Sequence, residues 1–301
     1  MKHSSMRTTP KVIIALALSM IFWSFSYVWV KIAYESFQPI TTITLRLTMS
    51  TVMMGGILLA IGRLQPIAPE DRKWFLLLAF LEPFLYYLGE SYGLKYVTST
   101  QAAVIIATIP LFSPILAYLF YRERLSAINV LGIGISIGGV VMIVAEKNTA
   151  TASTATGIIL MFFAVTAALF YGVMLRRLAN KYSPLTIITI QNGIGTLMFL
   201  PLFFTLEWQH FAQTIPSPQS IWALIWLAIF ASSLAFILFA YGIQQIGLSR
   251  ANVYTNTIPA ITAIIARLML NEPLSTIKIA GIIIVIAGLY VSQIKTAQHA
   301  I

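Results

Sequence analysis

The chain has 301 residues, 58% hydrophobic and only 9% charged, with 19 Lys and Arg against 9 Asp and Glu. A soluble domain carries roughly 25% charged residues, and a disordered chain needs low hydrophobicity with high charge, so both classes are excluded. There is no Cys, which removes disulfide, thiolate and Cys-based metal chemistry.

A helix that crosses a hydrocarbon core of about 30 Å needs roughly 20 apolar residues. Ten stretches meet this: Val12–Tyr34, Pro39–Ile61, Trp74–Tyr96, Thr100–Tyr121, Ile128–Ala145, Thr156–Leu175, Leu185–Leu206, Ile221–Ile243, Arg250–Leu270 and Ile277–Ile294. The first follows Lys2, Arg7 and Lys11 and imitates a signal peptide, but it runs on through Phe22, Trp23 and Phe25 without a small-residue cleavage site. It is expected to remain as span 1. The connections are short. With the N-terminus inside, thirteen Lys and Arg fall on the inner side, among them Arg63, Arg72, Lys73, Arg176, Arg177, Lys181 and Arg250, against four outside (Lys31, Lys95, Lys147, Lys278). That bias predicts a multi-pass inner-membrane protein with both termini cytoplasmic. The net charge of +10 therefore reports orientation rather than nucleic-acid binding.

The chain repeats itself. At an offset of 149, 17 of 38 positions between Ala102 and Gly139 are identical without a gap. Thr108-Ile109-Pro110 meets Thr257-Ile258-Pro259, Glu123 meets Glu272, and Gly132 and Gly139 meet Gly281 and Gly288. A slightly smaller offset pairs Pro39, Thr41 and Thr44 with Pro184, Thr186 and Thr189. Five spans per half is odd, so the second half enters the membrane inverted. The fold expected is an all-α polytopic membrane protein of ten transmembrane helices, two inverted five-helix repeats (1–147 and 148–301) around a central cavity, the plan of many secondary transporters.

Counting inwards from the span ends places Trp23, Ser24, Glu82, Pro83, Pro110, Thr166, Gln191, Asn192, Ser232, Ser233, Asn256, Thr257 and Pro259 near the midplane. Polar groups at this depth must face protein or water. Glu82 stands out, because a charge at the centre costs about 2.5–3.5 kcal/mol and holding a carboxyl neutral at pH 7 costs about as much. Either state suits a group that binds a proton or a cationic substrate in one conformation and releases it in another; the structural alternative is a protonated Glu tied to a neighbouring helix. Glu82, Trp23, Ser24, Tyr86, Gln191, Asn192, Ser232, Asn256 and Thr257 are the candidate substrate- or proton-binding residues. Pro83, Pro110 and Pro259 each remove a helical hydrogen bond and are candidate hinges. Glu90 lies about 80° around the helix from Glu82, at a depth similar to that of Arg46 on span 2, so the two are expected as an ion pair or, functionally, as an outer gate or a carboxylate clamp.

Glu123 and Glu272 sit at span ends and read as caps or loop ion pairs. Gly132, Gly134, Gly138, Gly139, Gly281 and Gly288 give spans 5 and 10 small residues for close packing, and a homodimer through these spans is one use for them. Trp208, Trp222 and Trp226 fit an interfacial belt. His3, His210 and His299 are too scattered for metal ligation, so no metal and no cofactor is expected. No Ser–His pairing or Gly-rich phosphate loop points to an enzyme.

The residues quoted resemble the EamA-type family of the drug/metabolite transporter superfamily over nearly the whole chain. Trp23-Ser24-Phe25-Ser26 with Lys31 is similar to that family's first-span Trp-Gly-Ser-x-Phe…Lys pattern, with Ser24 in place of Gly. Pro39 with Arg46 resembles the second-span pattern, and Pro110, Glu123, Gly132 and Gly139 that of spans 4 and 5. The resemblance implies a basket in which spans 1, 3, 4, 6, 8 and 9 surround the cavity, and a cargo drawn from amino acids, sugars, nucleotide sugars or drugs. The function expected is secondary transport of a small metabolite, an amino acid or related compound, outwards by alternating access and with proton coupling through Glu82. An uncoupled facilitator is the alternative.

Overall fold

A computed structural model describes residues 9–112, 127–145 and 155–292. Every regular element among them is helical. In chain order they are α1 (Pro10–Ala33), α2 (Pro39–Ala60), α3 (residues 72–93), α4 (Ser99–Phe112), α5 (Ala127–Val144), α6 (Ala155–Ala179), α7 (Pro184–Gln213), α8 (Pro218–Ile246), α9 (residues 248–269) and α10 (Thr276–Ser292). These are the ten spans of a polytopic membrane protein. Six of them (α1, α2, α5, α6, α7 and α8) are long and apolar enough to cross a bilayer as single helices.

The helix starts follow from local chemistry. Pro10, Pro39, Pro184 and Pro218 each occupy the first turn after an extended residue, where a missing N–H costs nothing. Ser183 and Ser217 accept the backbone N–H of Thr186 and Ser220, and Thr98 and Gln101 cap each other at α4, supplying partners for orphan donors. The bundle surface is apolar, with Val52, Leu59, Val130, Leu131, Leu268 and Ile283 exposed, as a lipid-facing surface must be.

The main packing pairs are α1 with α8 and α9, α3 with α6, α4 with α6 and α9, α2 with α7, and α5 with α10. Exchanging the halves (1 for 6, 2 for 7, and so on) maps this set onto itself. α5 meets α10 through the glycines: a side chain at Gly139 would lie 2.8 Å from the Gly281 carbonyl, and one at Gly132 would collide with the backbone at Ser292. The glycines expected to serve a second copy, Gly132, Gly139, Gly281 and Gly288, are thus consumed within the chain. Only Gly134 and Gly138 on α5 meet open space. Trp208, Trp222 and Trp226 are exposed, as an interfacial belt requires.

Five spans depart from a regular α-helix, α7 among them through a wide turn at Phe203–Glu207 just after Pro201. In α3 a wide turn covers Phe80–Leu85, with Glu82 extended (φ −146°, ψ 120°) and the Glu82–Pro83 bond cis. In α8 a wide turn covers Leu227–Leu234, the repeat counterpart of that segment. α4 is interrupted at Ala107 and Thr108, and α9 tightens to a 3-10 turn at Val253–Thr257, just before Pro110 and Pro259. Sequence reading singled out Pro83, Pro110 and Pro259 but not Pro201. The break in α8 carries no proline and was not foreseen.

Candidate functional site

The broken spans α3, α4, α8 and α9, with α1, α2 and α6, enclose a cavity of about 650 Å³. Trp23, Tyr27, Arg46, Glu82, Tyr86, Tyr87, Glu90, Tyr171, Phe236, Phe239, Asn252 and Ile258 line it. It extends to Arg176, Arg177 and Asn180, which are exposed at one end of α6. Breaks in the helices free backbone groups only where they face protein or a cavity, which is where these lie.

Glu82 is buried, 5% exposed, and lines the cavity. Its carboxyl forms no hydrogen bond with any of the described residues. Gly195 of α7 packs directly on Pro83, where a side chain would collide with the ring, so the turn that presents Glu82 is held from behind. Four residues on, Tyr86 donates its hydroxyl to Glu90 Oε1 at 2.8 Å. Arg46, 2% exposed, donates from Nε to Ser232 Oγ at 2.8 Å and from Nη2 to the Tyr87 hydroxyl at 3.1 Å. Its guanidinium also lies 4.4 Å from the centre of the Tyr87 ring.

Arg46 and Glu90 were expected to pair. They share the cavity but do not: the one ion pair among the described residues is Lys181–Asp71. The reason is that neutral partners on α3 and α8 hold the guanidinium while Tyr86 takes Glu90.

The other expected polar residues divide. Trp23 lines the cavity and packs edge-on against Phe236 and Phe239 at 5.0 and 4.9 Å between ring centres. Ser232 touches the site through Arg46. Ser24 is fully buried and turns back to the Met20 carbonyl at 2.7 Å, as a serine inside a helix does. Gln191 accepts the Tyr171 hydroxyl at 3.3 Å and so supports a wall without forming it. Asn192 donates to Ser50 Oγ and to the Ser232 carbonyl, both at 2.8 Å, closing a buried network with Ser233, whose Oγ lies 2.6 Å from that of Ser50. Asn256 is buried, with Oδ1 unpartnered among the described residues, and does not line the cavity. Thr257 and Thr166 are exposed and bond their own helices at Tyr254 and Phe162; helical spacing turns them to lipid. Pro110 and Pro259 are buried beside the breaks in α4 and α9.

Sequence reading missed Phe236 and Phe239 as cavity residues. The signal was there: the offset of 149 places them opposite Tyr87 and Glu90.

At the other end of the bundle two carboxylates of the second half close helix N-termini of the first. Glu207 accepts the backbone N–H groups of Ile40 and Thr41 at 3.2 and 2.6 Å and the Thr41 hydroxyl at 2.8 Å. Glu272 accepts those of Ser99 and Thr100 at 2.8 and 3.3 Å and the Thr100 hydroxyl at 3.1 Å. An anion is favoured at a helix N-terminus. Glu272 is therefore a cap, but of a distant helix rather than its own. Its repeat counterpart Glu123 lies outside the described residues. At the Arg176 end, Asp71 receives Lys181 at 3.0 Å on both oxygens and the Tyr182 hydroxyl at 2.9 Å.

Ten spans in two halves, broken helices and a cavity between them are the plan of a small-metabolite carrier. The chain matches the EamA-like transporter family over residues 10–145 and 155–293, and it belongs to that family of membrane transporters. It is 27% identical to "Uncharacterized transporter YetK" of Bacillus subtilis over 95% of this chain and 87% of that one. It is 21% identical to "Probable terminal-alkyne amino-acid exporter" of Streptantibioticus cattleyicolor over 95% of this chain and 94% of that one. A crystal structure of a protein 15% identical in sequence shares the fold with a TM-score of 0.71, over 94% of this chain and 98% of the other.

Proposed function

We propose that this protein is an inner-membrane secondary transporter that exports an amino acid or a related compound, with protons coupled through Glu82. Residues 1–147 and 148–301 act as the two inverted repeats, and the breaks beside Pro83, Pro110 and Pro259 as hinges. The observation that carries this reading is Glu82: a buried carboxyl without a hydrogen-bond partner among the described residues, at a helix break, on the wall of a cavity between the halves. An intramembrane ionisable group facing a cavity marks a substrate or proton path by default.

The positive-inside rule puts Arg63, Arg72, Lys73, Arg176, Arg177, Lys181 and Arg250 on the cytoplasmic side, with both termini. The cavity then extends towards the cytoplasm, and the Glu207 and Glu272 caps close the opposite side. This is the conformation in which an exporter loads its cargo. The relative named as an amino-acid exporter supports the cargo class.

The test uses proteoliposomes loaded with a pH dye and challenged in turn with pools of amino acids, sugars, nucleosides and polyamines. The expected result is a pH change with the amino-acid pool that is lost in Glu82→Gln. Labelled cargo that enters without a pH change, at equal rates in both proteins, overturns the coupling and leaves a facilitator.

A further inference from the structure

We infer that Arg46 reads a substrate carboxylate, so that the cargo is a zwitterion whose ammonium meets Glu82 and whose apolar body lies on the second half. The inference rests on the carrier reading above and deepens it.

Its basis is an asymmetry between the halves. Arg46, Glu82 and Glu90 all line the cavity from the first half. Their repeat counterparts, at offsets of 145 on the second span and 149 on the third, are Gln191, Ala231 and Phe239. The buried charges are gathered on one wall, with Arg176 and Arg177 of the second half confined to the exposed end of the cavity, and Phe236 and Phe239 face them from the other half with Tyr171. Such a cavity fits a molecule charged at one end and apolar at the other.

The charges are also kept apart. Neither carboxyl comes within ion-pair distance of Arg46, since Lys181–Asp71 is the one ion pair among the described residues. Ser232 and the Tyr87 hydroxyl and ring fix the guanidinium plane without neutralising it. Among the described residues, Nη1 has no partner. A buried charge left in this state is costly unless a counter-charge arrives. A planar guanidinium is the group best shaped to receive a carboxylate.

Charge counting decides among ligands. The buried groups, one guanidinium and two carboxyls, become neutral with a single bound proton, while Arg176 and Arg177 sit at the exposed end. A zwitterion then adds no net charge to a site of low dielectric and meets both signs. A bare amine leaves Arg46 unpaired, and a bare acid leaves Glu82 unpaired.

The experiment measures uptake of radiolabelled L-phenylalanine into proteoliposomes, in competition with unlabelled L-phenylalanine, phenethylamine and hydrocinnamate. In the wild type, each one-charge analogue is expected to compete at least about tenfold more weakly than the amino acid, the usual consequence of leaving a buried polar group unpaired. In Arg46→Gln the preference for L-phenylalanine over phenethylamine falls by about tenfold or more. Arg46→Lys, which keeps the charge but not the fork, lies between. Phenethylamine competing as well as L-phenylalanine in the wild type, or an unchanged preference in Arg46→Gln, overturns the inference.

If Arg46→Gln does not reconstitute, Ser232→Ala releases Nε of the same guanidinium. A reduced preference with phenethylamine competition intact supports the inference, and an unchanged one overturns it. If wild-type vesicles take up sugars or nucleosides but no amino acid, the carrier survives and the zwitterion falls. If no pool enters, the carrier reading falls and the inference with it.

Discussion

Glu272 Oε1 accepts the backbone N–H of Ser99 at 2.8 Å, so a carboxylate of the second half caps the N-terminus of α4 in the first. With two further bonds to Thr100, this contact spans the halves on the side of the bundle opposite Arg176. Any motion that opens that side must separate them. Glu272→Gln keeps the shape but removes the charge and one acceptor, a loss of about 1.5 kcal/mol for a charge-assisted bond, or roughly tenfold in the open population. The chain contains no Cys, so Ser26→Cys on the cavity wall gives a single reporter. Labelling by an impermeant maleimide from the side that Glu272 closes is expected to speed up about tenfold in Glu272→Gln. Equal rates in the two proteins would show that this contact does not gate the cavity.

Much of this architecture is legible in the sequence because a bilayer allows so few solutions. Apolar length gives the spans, and the offset of 149 gives the repeat. Glu82 stands out as a charge at the midplane. What sequence could not supply was rotation about each helix axis. Thr166 and Thr257 sit at the right depth but turn to lipid, while Ser24 and Asn192 bond to backbone or neighbouring polar groups instead of facing the cavity. Depth is one coordinate of a residue in a membrane, and the azimuth is set by packing. The same gap explains Arg46 and Glu90, which match in depth yet are held apart by Ser232, Tyr87 and Tyr86.

Asp71 makes stability depend on acid pH. The Lys181 ammonium, which donates to both carboxylate oxygens, holds the Asp71 carboxyl below the usual carboxylate range; burial opposes this, and the Tyr182 hydroxyl adds to it. A folded-state pKa below the unfolded value contributes stability that is present above about pH 4 and is lost as pH falls through the lower, folded value. Asp71→Asn should therefore lower the melting temperature of the purified protein at pH 7, and the two melting curves should converge as the pH is taken below about 4. A gap that stays constant down to the lowest pH tolerated would mean that the ion pair is not its source.

Asn192 tests the buried network behind the site. Its amide bonds Ser50 Oγ and the Ser232 carbonyl, the latter within the wide turn of α8. Asn192→Leu leaves that carbonyl without its donor in a region closed to water. The cost expected is about 1 kcal/mol, between the average of polar contacts inside membrane bundles and that of a buried orphan. Unfolding in mixed micelles measures it. A Leu variant as stable as wild type would show that the turn in α8 does not need Asn192.

The α5–α10 seam offers a contrast within one turn of one helix. A side chain at Gly139 would lie 2.8 Å from the Gly281 carbonyl and 2.9 Å from the Val285 N–H nitrogen, whereas one at Gly138 meets nothing within 4 Å. Backbone atoms cannot step aside as a flexible side chain does, so Gly139→Leu must force the two helices apart. Overpacking of this kind costs about 1–3 kcal/mol. Gly138→Leu adds apolar surface to a face already turned to lipid and should change little, apart from the small gain in helix propensity over glycine. Yield and melting temperature of the two variants, expressed side by side, decide the matter. Loss in Gly139→Leu with Gly138→Leu unharmed fits a seam closed within one chain. Equal loss in both, with a shift in the oligomer on size exclusion, would mean that the Gly138 face is itself packed against a second copy.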